Sequence, residues 1–127
     1  MIAKRKHPKG MTSTALRDIA VGALEDLKAV ELRVIDVRAS SAITDFIVIA
    51  SGTSDRHVKS LAGSVQRKAK DAGVMPLGIE GEQAGEWVLV DLCDVIVHVM
   101  LPRSRAFYQL EKLWGLDTPL TVIARGR

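Results

Sequence analysis

The sequence is short of the residues that usually announce chemistry. It has a single cysteine, Cys93, which excludes an internal disulfide and a multi-cysteine metal site. No apolar run approaches the ~20 residues that a membrane-spanning helix needs. The first ten residues, MIAKRKHPKG, lead into no apolar stretch of the kind a secretory signal carries. There is no G-x-G-x-x-G and no Walker lysine pattern, so the two commonest phosphate-binding loops are excluded. These absences favour a soluble intracellular protein without a nucleotide cradle of standard type.

A net basic charge is also missing from the body of the chain. The net charge is +3, yet Lys4, Arg5, Lys6, Lys9, Arg125 and Arg127 all lie in the tails, which leaves residues 11–124 at −3. A body that gripped nucleic acid by its phosphates would need the opposite sign over some face. The tails suffice for a loose RNA contact, or they are simply solvated ends. Met11 is an alternative start, since Thr12 to Thr14 make a natural helix entry.

What is present is a 127-residue chain with 47% hydrophobic residues, enough for one compact domain with a real core. Leu16, Ile19, Ala20, Ala23, Leu24 and Leu27 recur at helical spacing and predict a helix over about 13–29, capped by Thr12 or Ser13. Leu32 to Val37 reads as a strand. Phe46 to Ala50 is apolar throughout, as expected of a central strand covered on both faces. A second helix follows over about 54–72, with Val58, Leu61, Ala62, Val65 and Ala69 on one stripe and Gly73 as its stop. A short extended piece, Leu77 to Ile79, precedes a glycine-rich loop. Then EWVLVD and DVIVHVM form two strands, Pro102 ends the second, and 104–114 reads as a last helix. The order predicts one α/β (α+β) domain over residues 12–115 with a mixed sheet of about five strands, between a basic tail, 1–11, and a C-terminal tail, 116–127.

The two consecutive strands carry the most information. With Asp91 opposite Asp94 across a two-residue turn, alternation places Val88, Val90, Val95, Val97 and Val99 on one face. The other face holds Trp87, Leu89, Asp91, Asp94, Ile96, His98 and Met100, with Trp87 paired to His98. The valine face is core. The second face is too polar for an ordinary interior and too apolar for plain solvent, and its composition is that of a protein–protein contact. The competing reading is that a helix of the same chain covers it. In the final helix Phe107, Leu110, Leu113 and Trp114 make the inward stripe, while Arg105, Tyr108, Glu111 and Lys112 project elsewhere.

The stretch SGTSDRH, residues 51–57, joins a strand to a helix, as nucleophile and phosphate turns do. Ser54 suits an N-cap and Gly52 a tight turn. Ser54, Asp55 and His57 are poorly spaced for a triad, because the acid must reach the far nitrogen of the ring. Asp91 and Asp94 lack an obvious third acid for magnesium, and Cys93 with His98 supplies too few ligands for zinc. No catalytic, metal or cofactor residue is expected.

Three separated blocks carry a resemblance over residues 14–115: SSAITDFIVIASGTSDRHV, PLGIEGEQAGEWVLVDLCDVIVHVM and RAFYQLEKLW. They resemble the Iojap family, the ribosomal silencing factors. The resemblance implies a nucleotidyltransferase-like fold without known enzymatic activity and without the D-x-D acids such transferases use. It implies binding to the large ribosomal subunit through ribosomal protein L fourteen, a steric block to small-subunit joining, and lower translation when nutrients are scarce. Carried over by block, the contact residues are Trp87, Leu89, Asp91, His98, Met100, Arg105, Tyr108, Glu111 and Lys112. The family usually has glycine where this chain has Cys93; if that position needs a positive φ, Cys93 is strained. No cofactor is implied. The rivals are a nucleotidyltransferase-like enzyme that uses Ser51 to Ser54 for phosphate and Asp91 or Asp94 for metal, and a homodimer through the same hairpin face.

Overall fold

A computed structural model describes residues 11–104 and 122–124. Its elements run α1 (Ser13–Asp26), β1 (Val30–Asp36), β2 (Phe46–Ser51), α2 (Asp55–Asp71), β3 (Gly78–Glu80), β4 (Trp87–Asp91), β5 (Val95–Met100) and β6 (Val122–Ala124). The six strands form one sheet in the order β3-β4-β5-β2-β1-β6. Only β2 and β5 pair in parallel; the other neighbours are antiparallel. The sheet thus has one strand more than expected. The addition, β6, comes from the segment read as a C-terminal tail and pairs with β1 through Arg33, Val34 and Ile35. A three-residue strand is too short to leave a periodic trace in sequence.

Local chemistry explains the helix ends. The Thr12 hydroxyl accepts from the amide of Ala15 at 3.0 Å, which satisfies one orphan donor of α1. The helix stops three residues before the expected end, and Lys28 takes φ +61, a left-handed turn that carries the chain back to the sheet. The Ser54 hydroxyl accepts from the amide of His57 at 3.0 Å and caps α2. Gly73, at φ +90, follows the last turn, as anticipated. All five stripe residues of α2 are buried. Ser64 adds a 3.1 Å hydrogen bond to the carbonyl of Ala23, which ties α2 to α1.

Helices α1 and α2 lie on one face of the sheet. There Leu16, Ala20, Leu24, Val58, Leu61 and Val65 meet Val34, Val48, Val88, Val90, Val95, Val97 and Val99 in a single apolar cluster. All six residues of β2 are buried, as a central strand requires. The opposite face has its own smaller cluster of Ile35, Val37, Ile47, Ile49 and Met100, against which Trp87 packs in part. Among the described residues no helix is long and apolar enough to cross a membrane.

Candidate docking site

The register of β4 and β5 differs from the two-residue turn read in the sequence. Asp91 pairs with Ile96 rather than facing Asp94, and Trp87, Val88, Leu89 and Val90 pair with Met100, Val99, His98 and Val97. The connection spans four residues, with the amide of Leu92 donating to the carbonyl of Val95 at 2.9 Å. The cause is Leu92, which is fully buried in the valine-face cluster and would sit exposed at the tip of a two-residue turn. Cys93 turns the chain with φ +83, and its amide is held by a carboxylate oxygen of Asp91 at 2.9 Å. The strain expected at Cys93 is therefore present. Asp94 is buried in the turn, and its carbonyl accepts from the amides of Asp45 and Phe46.

The slip is by two residues, so side-chain parity survives. Val88, Val90, Val95, Val97 and Val99 are all buried on the helix side. Trp87, Leu89, Asp91 and Ile96 are half-buried on the other side. His98 is 8% exposed and Met100 is fully buried, so neither offers much surface to a partner. Ile96 offers more than either. Alternation places it on the mixed face, but it is not among the contact residues carried over from the family blocks. Arg105, Tyr108, Glu111 and Lys112 lie outside the described residues.

Trp87 and His98 meet along a diagonal instead of directly across the strands. The indole N–H of Trp87 donates to Nδ1 of His98 at 3.0 Å, and the rings lie 5.8 Å apart at 47°. An Nδ1 that accepts carries no proton, so this imidazole is neutral. Burial pushes its pKa down to about 4.

The start of β4 is held by the loop before it. Gly81 has φ +83, and a Cβ there would lie 2.0 Å from the carbonyl oxygen of Trp87. Gly85, at φ +74, lies against the start of α2, where a Cβ would come 2.8 Å from the Lys59 side chain and 3.0 Å from the carbonyl of Asp55. These two glycines let the loop lie flat between α2 and Trp87. Near the opposite end of the hairpin, Met75 and Leu77 are exposed just before β3.

The Ser51–Ser54 turn is architecture. A Cβ on Gly52 would come within 2.8–2.9 Å of Val58, so the turn packs directly on α2. His57 is committed at both ring nitrogens: Nδ1 accepts from the amide of Thr53 at 2.9 Å, which leaves Nε2 to donate to the carbonyl of Leu27 at 2.8 Å. That imidazole joins the end of α1 to the start of α2 and is not poised as a base. Among the described residues no three of His, Cys, Asp and Glu are grouped to hold a metal.

Comparison with known proteins identifies this geometry. The model of the family described as "Ribosomal silencing factor during starvation", RsfS, matches residues 11–125. The chain belongs to the ribosomal silencing factor family. It is 48% identical over 101 residues to the ribosomal silencing factor RsfS of Chromobacterium violaceum, covering 80% of this chain and 83% of that one. It is 36% identical over 113 residues to the mouse "Mitochondrial assembly of ribosomal large subunit protein 1", covering 84% of this chain and 50% of that protein. A crystal structure of a Chromobacterium violaceum protein superposes with a TM-score of 0.82 at 42% identity, covering 92% of this chain and 98% of that one.

Proposed function

We propose that this silencing factor docks on the large ribosomal subunit through the half-open strip of Trp87, Leu89, Asp91 and Ile96, and keeps the small subunit from joining. The observation that carries the reading is Trp87 itself. A tryptophan stays partly exposed on a strand whose other face is sealed by α2. Large aromatic groups left at a surface beside polar neighbours are the usual anchors of protein contacts. His98 and Met100 back the strip from beneath. Arg105, Tyr108, Glu111 and Lys112 extend it in this reading. Family membership supports a ribosomal partner, and the name of the mouse relative supports the large subunit.

The contact on the ribosome is protein L fourteen on the intersubunit face. The domain acts by its bulk, without catalysis and without a cofactor, and lowers translation in the cytoplasm when nutrients are limiting. The docking strip lies within residues 12–115, the basic tails add at most a weak contact with ribosomal RNA, and a homodimer of the free protein through the same strip would compete with it. Trp87→Ala tests the anchor. It should weaken binding to purified large subunits by about thirtyfold, the equivalent of about 2 kcal/mol for a central aromatic anchor, while circular dichroism shows an unchanged fold. Undiminished binding would remove the strip from the interface.

A further inference from the structure

Resting on that docking reading, we propose that His98 is a positioning residue for the contact: its unprotonated Nδ1 holds the Trp87 indole in the orientation that the ribosome receives. The side chain is too deeply placed to offer much surface of its own, yet its Nδ1 accepts a hydrogen bond from the residue best placed to anchor a partner. The bond runs diagonally. Trp87 stands opposite Met100, while His98 stands opposite Leu89. Neighbouring positions on this face restrict the imidazole: Leu89 across the ladder, and Ile49 beside it on β2. A half-exposed tryptophan at a strand start samples several rotamers unless something fixes its polar edge, and ordering it only on binding costs affinity. The acceptor on β5 supplies that restraint in advance.

The test separates an acceptor from mere filling. His98→Asn keeps an oxygen where Nδ1 lies, and His98→Leu keeps the bulk without the acceptor. A third protein carries benzothiophene in place of the Trp87 indole, with the same shape and no N–H. The indole N–H resonance, assigned against Trp87→Ala, and the affinity for purified large subunits are measured for each. One hydrogen bond lost at an ordered site corresponds to about a tenfold weakening. His98→Leu and the benzothiophene protein should each weaken by about that factor, and the indole resonance of His98→Leu should move upfield. His98→Asn should stay within about threefold of the parent and keep its indole shift. Parent-like affinity in the benzothiophene protein, or equal losses in the Asn and Leu variants, overturns the inference, and the first result holds even if His98→Leu does not fold. If Trp87→Ala also binds normally, the docking reading itself falls; if only Trp87→Ala loses binding, the strip stands and the positioning role does not.

Discussion

His98 illustrates how much of the site turns on single atoms. Its Nδ1 accepts from Trp87, and its burial opposes a positive charge, so both effects favour the neutral ring. In the unfolded chain the same imidazole titrates near its ordinary 6.5. The folded value is depressed to about 4, so between these values the unfolded state binds more protons. Stability from this group is fully present above about pH 6.5 and is lost as the pH falls toward 4, by about 3 kcal/mol in all. Urea unfolding of the parent and of His98→Asn across that window checks this. The parent should lose its margin over the variant as the pH falls, and parallel curves would contradict it. Sequence reasoning brought Trp87 and His98 together through a pairing that does not exist. It succeeded because a two-residue slip keeps both on one face and within diagonal reach. It overvalued Met100, because alternation assigns a face but does not reveal that Ile35, Ile47 and Ile49 form a second core there.

At the scale of elements, caps and stripes were readable and turns were less so. Thr12 and Ser54 cap their helices, and Val58, Leu61, Ala62, Val65 and Ala69 form the buried stripe, since both features are set within a few residues of chain. The β4–β5 connection is set instead by the tertiary burial of Leu92, which no local pattern displays. The same turn yields a stability prediction. Cys93 at φ +83 carries the cost of a side chain in left-handed backbone. Cys93→Gly removes that cost and adds some freedom to the unfolded chain. The net gain should be about 0.5–1 kcal/mol. Cys93→Ala, which keeps a Cβ, should gain nothing of the kind. Thermal melts of the three proteins decide the matter, and equal effects of Gly and Ala would show that the backbone at this turn is relaxed. His57 belongs to this scale as well. It resembles a catalytic histidine in sequence because it follows Ser54 and Asp55, and only its distant partner Leu27 reveals a link between helices.

The whole molecule is a two-sided sheet with unequal sides. One side is closed by α1 and α2 over an all-valine hairpin face, and the other is closed at its centre but half-open along β4. In the proposed function the closed side supplies rigidity and bulk, and the half-open strip supplies the contact. The central claim is that the bound domain stands between the two ribosomal subunits. Its most direct test is gradient sedimentation of purified large and small subunits under joining conditions, with the silencing factor added first. The account expects the protein to travel with the large subunit and the whole-ribosome peak to shrink as free subunits accumulate, and expects Trp87→Ala to do neither at the same concentration. A protein that stays at the top of the gradient, or that rides on whole ribosomes without reducing their number, would contradict it.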